Sequence, residues 1–192
     1  MQPDPNVRKS RRLLTAYIAA ITLVCALFTY GVSSHLVQTR ERLDGWSPGS
    51  ICRDVLSGDR LVLEDEDGAM QIVQVLGIQA PPVERGDMLT EFAEQIGRRE
   101  DFVIQQGRSA KSTLLVWVNR RHIKLEIPEG FEEADEEGVI RAYASRQGVD
   151  IGRKMLQGGQ AIALDFPHPR LEAYRGYEAE ARAADAGIWR AP

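Results

Sequence analysis

Cysteine is nearly absent. Only Cys25 and Cys52 occur in 192 residues. The first lies inside an apolar run and the second in the charged region beyond it, so the two cannot meet and no intrachain disulfide is expected. Each reads as a small buried hydrophobe. Histidine is equally scarce: His35, His122 and His168 have no ligand-like spacing with one another or with cysteine, which leaves no metal site to expect. There is no glycine-rich phosphate cradle, no Ser/His/Asp arrangement, no internal repeat and no low-complexity tract. Nothing in the sequence asks for a cofactor.

A second absence is more informative. No Asp, Glu, Lys or Arg occurs in residues 13–39. The run LLTAYIAAITLVCALFTYGV, residues 13–32, spans about 30 Å as a helix, the hydrocarbon thickness of a bilayer. Its few polar side chains are Thr15, Thr22, Thr29 and two tyrosines. Tyr17 and Tyr30 lie toward its two ends, where amphipathic rings favour the interface. The prediction is a cytoplasmic tail (residues 1–12), a transmembrane helix (13–33), a juxtamembrane linker (34–50) and one domain (51–190). Arg8, Lys9, Arg11 and Arg12 precede the helix; Arg40 and Arg42 follow it, diluted by Glu41 and Asp44. The heavier basic flank stays cytoplasmic. The expected placement is single-pass in a cell inner membrane, with the C-terminal domain periplasmic. A cleaved signal peptide ending at Val32-Ser33-Ser34 is the alternative, but the apolar run exceeds the usual h-region of about 7–15 residues.

Excess positive charge is also missing. The chain carries 24 Lys+Arg and 28 Asp+Glu, and residues 1–39 hold four of the bases and one of the acids. The remainder therefore has 20 bases and 27 acids, a net of −7. Nucleic-acid affinity comes largely from neutralising phosphates, so this balance argues against such a partner.

What is present reads as short strands and helices. Residues 51–56, 60–64 and 71–78 are strand-like, separated by Ser57-Gly58-Asp59 and the polar turn Asp65-Glu66-Asp67-Gly68. Residues 83–103 read as a poorly defined insertion with some helical character. Residues 105–118 space Ala110, Leu114, Leu115 and Val118 as a helix. Residues 122–127 and 139–144 read as strands around an acidic loop, 151–156 as a short helix, and 161–164 as a brief strand. Residues 171–186 form a helix capped by Gly187. This order predicts the α+β class, a small barrel flanked by about three helices.

Specific words accompany the layout. "VLSGDRLVL" is similar to V-x-D-G-D-T-[IV]-x-[LV], "VQVLGIQAPP" to V-R-L-x-G-I-D-[AT]-P-E, and the helix at Gly107 to G-x-x-A-x-x-x-L. "DIGRKMLQGGQAIA" and "YEAEARAADAGIW" complete the series. In this order the words resemble the staphylococcal-nuclease (thermonuclease) family, whose fold is an OB-type five-stranded barrel with three helices. The resemblance covers roughly residues 51–189. It implies a site in which carboxylates hold Ca²⁺, a Glu activates water and two arginines stabilise the phosphoryl charge.

Carried over residue by residue, the implied site is degenerate. Asp59 matches the first metal carboxylate. Gln79 stands where the second metal Asp would be, Pro82 at the catalytic Glu, Gln74 at the first arginine and Val139 at the second. Glu84 and Arg141 are the nearest candidates for a displaced base and arginine. Alone, Asp59 reads better as a turn residue whose carboxylate caps backbone N–H groups. The acidic loop, with Glu129, Glu132, Glu133, Asp135, Glu136 and Glu137, would repel a phosphodiester. A basic turn at Arg120, Arg121, His122 and Lys124 reads as a strand edge. Trp46, Trp117 and Trp189 read as interface, helix and core residues, which leaves no stacking platform for a single strand.

The expectation is therefore a non-catalytic, membrane-anchored domain acting as an accessory subunit of a larger membrane complex, for example a respiratory or photosynthetic one. The expected partners are other integral membrane proteins, packing on the exposed domain and on the helix, where Ala16, Ala19, Ala20 and Gly31 would permit close approach. The alternatives are a divergent Ca²⁺-dependent nuclease built on Asp59, Glu84 and Arg141, and an oligonucleotide-binding module.

Overall fold

A computed structural model describes residues 50–131 and 134–190. The predicted tail, membrane helix and all but the last residue of the linker lie outside the described residues, as do Cys25, His35, Trp46, Glu132 and Glu133. Among the described residues, no helix is long and apolar enough to cross a membrane.

In chain order the elements are β1 (Ile51–Ser57), β2 (Arg60–Glu64), β3 (Met70–Val75), β4 (Ile78–Gln79), α1 (Asp87–Ile96) and α2 (Glu100–Val118). Then come β5 (Lys124–Glu126), β6 (Ile140–Arg146), β7 (Val149–Asp150), α3 (Ile151–Gln157), β8 (Ile162–Ala163), α4 (Leu171–Ala183) and a 3-10 turn, Gly187–Trp189. The class is α+β, as expected.

Five strands form a curled sheet in the order β1-β2-β3-β6-β5. All neighbours are antiparallel except β3 and β6, which run parallel. The two edges of the curl approach one another. Cys52 N–H donates to the Arg121 carbonyl (2.9 Å), Arg120 N–H to the Cys52 carbonyl (2.8 Å) and Ile123 N–H to the Ser50 carbonyl (2.9 Å). Period-two alternation assigns the faces. Val55, Leu61, Leu63, Val73 and Val75 are fully buried, while Arg60, Val62, Ile72 and Gln74 lie on the outer face. Cys52 is buried, as its composition suggested.

Small residues bring α2 onto the sheet. A Cβ at Gly58, in the β1–β2 turn, would lie 2.8 Å from the Cβ atoms of both Ala110 and Ala80. One at Gly107 would lie 2.2 Å from the Pro82 carbonyl oxygen. Gly107 and Ala110 thus let the turn at Asp59 and the segment at residues 80–82 pack against one helix face.

The helical character expected in residues 83–103 is present, and three other expectations need correction. Residues 83–103 hold all of α1 and the start of α2. Leu89, Phe92 and Ala93 pack with Val103, Ile162 and Ile188 in a second buried cluster, which stabilises the segment at about 1.5–3 kcal/mol per large side chain. The described residues accordingly hold four α-helices rather than about three. The third strand breaks at Leu76-Gly77, because Gly77 takes φ 82°, leaving β4 to pair separately with β8. Gly187 does not cap α4, which ends at Ala183. It opens the 3-10 turn that delivers Ile188 to the second cluster.

Candidate functional site

The hairpin turn, the break after β3 and the start of α1 surround a cavity of about 880 Å³. This lies within the roughly 300–1,000 Å³ range of ligand pockets. All five residues matched to the implied site, Asp59, Gln74, Gln79, Pro82 and Val139, line it. Glu84 and Arg141 line it as well. Residues far apart in sequence are thus brought to one place.

Asp59 is 6 % exposed. Its Oδ1 accepts the Ser57 hydroxyl (2.5 Å). Its Oδ2 accepts Gln74 Nε2 (3.0 Å) and the backbone N–H of Ala80 (3.0 Å). The carboxylate therefore ties the β1–β2 turn to β3 and to the chain leaving β4. Gln74 relays the network outward, its Oε1 accepting Arg60 Nε at 2.6 Å. Among the described residues, no group of three or more His, Cys, Asp or Glu side chains is placed to hold a metal ion.

The other positions differ in exposure. Gln79 and Pro82 are half-buried, Val139 is buried and Glu84 is exposed. Arg141 lies beside Gln74 across the parallel β3–β6 pair, and makes one long contact, 3.4 Å, with Asp135. Of the described acidic-loop carboxylates, Asp135 alone lines the cavity. Its Oδ1 is occupied by the backbone N–H groups of Glu137 (3.1 Å) and Val139 (2.9 Å). Arg120 and Arg121 are exposed beyond the end of α2 and away from the lining.

Sequence reasoning missed Arg60 and Lys111, which also line the cavity. Each had a signal: Arg60 directly follows Asp59, and Lys111 directly follows the small-residue face of α2.

A second polar cluster surrounds His168, whose ring centroid lies 5.0 Å from that of Phe166. The Tyr143 hydroxyl accepts the Arg170 N–H (3.2 Å) and shares a hydrogen bond with His168 Nδ1 (2.8 Å). His168 Nε2 is buried without a partner among the described residues. Burial, and then the Arg170 charge, hold the His168 pKa below its ordinary value. Arg170 pairs with Asp150 (2.9 Å) and Glu126 (2.7 Å) and stacks 3.9 Å from the Tyr143 ring centroid. Tyr174 donates its hydroxyl to Asp150 (2.9 Å), and burial followed by the Asp150 charge raises its pKa. Asp150 also caps α3 through the Arg153 N–H (3.4 Å). Every charge here has an internal partner, so the cluster acts as a clamp joining β5, β6, α3 and α4.

No protein-family model matches the chain, and comparison with curated proteins finds no relative.

Proposed function

We propose that the chain is a membrane-anchored, non-catalytic domain with a degenerate staphylococcal-nuclease-like barrel, serving as an accessory subunit of a larger membrane protein complex. One observation carries this reading. Asp59, the retained acid of the implied site, spends its carboxylate on Ser57, Gln74 and Ala80. Gln79, Pro82 and Val139 then line the cavity with no charge to hold Ca²⁺, no base and no arginine. Hard cations need several oxygen ligands, and hydrolysis of a phosphodiester needs its charge stabilised. The β1-β2-β3-β6-β5 order and the bonded edges of the curled sheet fit an OB-type barrel. The charge-free run at residues 13–39 supplies the anchor, with the domain on the periplasmic side.

A nuclease reading has one observation in its favour: Glu84 and Arg141 share the cavity with Asp59. Purified full-length protein in mild detergent decides between the two. Incubation with single-stranded DNA and RNA, with and without Ca²⁺, is expected to leave both intact. Cleavage abolished by Asp59→Ala overturns the non-catalytic reading. Migration from its native membrane as a lone monomer counts against the subunit role.

A further inference from the structure

One wall of the cavity is a strap, residues 164–170, that links β8 to α4 and belongs to no helix or strand. Its Leu164 and Phe166 line the cavity beside Gly77. The strap's backbone is held at its two ends. The Leu164 N–H donates to the Gly77 carbonyl (3.0 Å), the Arg170 N–H to the Tyr143 hydroxyl (3.2 Å) and the Leu171 N–H to the His168 carbonyl (3.1 Å). Pro167 and Pro169 have no N–H to give. Among the described residues, no bond holds the N–H of Asp165, Phe166 or His168. Segments with so few backbone bonds open locally before the core does.

Side chains therefore fasten the middle of the strap. Asp165 pairs with Arg175 at the surface (2.5 Å), where an ion pair contributes little. Phe166 packs against Phe131 (6.3 Å between centroids) and against the His168 ring (5.0 Å). That ring covers Gly77, where a Cβ would come within 2.5 Å of it. His168 is thus the contact that joins the strap to the break after β3.

The seat suits a neutral imidazole. Around the ring, β6 contributes Tyr143 and α4 contributes Tyr174, with centroids 6.0 and 5.6 Å away. The break after β3 contributes the uncharged Gly77. The charged groups of the cluster are Arg170, from the strap's own end, and Asp150 and Glu126, both paired with Arg170. Neither imidazole nitrogen has a carboxylate partner among the described residues: Nδ1 meets the Tyr143 hydroxyl and Nε2 is buried with none. In the imidazolium both nitrogens donate. The Tyr143 oxygen would then have to accept from Nδ1 as well as from the Arg170 N–H, and Nε2 would be a stranded buried donor. The new charge would also add to that of Arg170. Burial and the Arg170 charge accordingly hold the His168 pKa below its ordinary value.

We propose that His168 is a pH-operated latch on this wall: neutral, it keeps the strap seated over Gly77, and protonated, it leaves the seat, so that the strap moves away and the cavity widens. The sign follows from linkage. In the released strap the ring meets water and takes up its proton near pH 6.5, whereas the seated ring does so only at lower pH. The closed form is fully favoured above about pH 6.5 and loses that advantage as pH falls below it. Between pH 7.5 and 5.5 the open fraction rises by a factor approaching ten. The latch depends on the strap's own geometry and not on the subunit role proposed above.

Hydrogen exchange of the full-length protein in mild detergent tests this. It is read at the Leu164 and Arg170 amides at pH 7.5 and 5.5, corrected for the intrinsic pH dependence of exchange. Both pH values lie above the ordinary carboxylate range of about 4, which keeps carboxylate titration out of the comparison. Protection at both amides is expected to fall by a factor approaching ten in wild type. It should stay constant in His168→Gln, whose side chain is polar but takes up no proton. The Val75 amide, bonded to the Asp59 carbonyl in the core (2.8 Å), should keep its protection throughout. A second measurement needs no comparison with a folded variant: the imidazole of His168, followed by NMR, should titrate with a midpoint below 6.5. Unchanged protection in wild type, a fall that persists in His168→Gln, an equal fall at Val75 (which is global unfolding) or an ordinary titration midpoint would each overturn the latch.

Discussion

Replacing Asp59 separates a structural carboxylate from a catalytic or metal-binding one. Asp59→Ala strips three donors of their acceptor: the Ser57 hydroxyl, the Gln74 amide and the buried Ala80 N–H. A hydrogen bond to a charged group contributes about 1.5–3 kcal/mol, and a stranded buried donor costs about 1–3 kcal/mol. Ser57 and Gln74 are half-buried and regain water, so the losses do not add fully. A destabilisation of roughly 3–4 kcal/mol follows, or a fall in Tm of about 6–16 °C at roughly 2–4 °C per kcal/mol. Asp59→Asn keeps one oxygen for the Ala80 N–H and should cost about half as much. Thermal and urea unfolding of the full-length protein, followed by tryptophan fluorescence, measure both variants. Ca²⁺ is the control, because a ligand that binds only the native state raises its midpoint. The reasoning fails if Asp59→Ala unfolds within about 0.5 kcal/mol of wild type. It fails equally if millimolar Ca²⁺ stabilises wild type and not the variant.

Other perturbations probe the packing and the clamp. Gly107→Ala drives a methyl into the Pro82 carbonyl and should cost about 3 kcal/mol, the upper end of overpacking. Gly176→Ala, in α4 with nothing within 4 Å of the new methyl, should instead stabilise by about 0.5–1 kcal/mol in the same urea titration. Tyr174→Phe removes the hydroxyl held by Asp150 and should cost about 1.5–3 kcal/mol, with faster amide exchange at the start of α3. The depressed His168 pKa means that the unfolded chain binds this proton more readily. Its contribution is full above about pH 6.5 and is lost as pH falls through the lower folded value. His168→Gln should flatten that part of the stability–pH curve; an unchanged slope would show that His168 does not carry it.

Much of the curled sheet was legible because one side of each strand is buried. Leu61 and Leu63 lie between Arg60 and Glu64, and Val73 and Val75 flank Gln74, while the turns at Gly58-Asp59 and Gly68 punctuate the strands. The failures have particular causes. In the segment 83–103, Leu89, Phe92, Ala93 and Ile96 do follow helical spacing, but charged residues dilute the pattern. The positions they pack against, Val103, Ile162 and Ile188, lie far along the chain. The break at Gly77 was obscured by β-branched residues on both sides. Only the structure shows the His168 ring seated over Gly77, where a Cβ would come within 2.5 Å of it. Gly187 offered a familiar cap signal, yet the 3-10 turn prevails because it buries Ile188.

The candidate site was legible in a different way. Local words placed Asp59, Gln74, Gln79, Pro82 and Val139, and the cavity gathers all five. Spacing could not show what the Asp59 carboxylate does there. An acid at a hairpin turn reads the same whether it awaits a cation or is already engaged. The difference lies in long-range contacts: the Ala80 N–H arrives from 21 residues away and the Gln74 amide from 15. Those donors reach Asp59 because Gly58 and Gly107 allow the turn, the helix and the segment 80–82 to close together. The same small residues that build the cavity therefore also occupy its retained acid. A chain under pressure to keep a metal would leave that carboxylate open and supply others beside it. Here the neighbouring positions are amide, proline and valine.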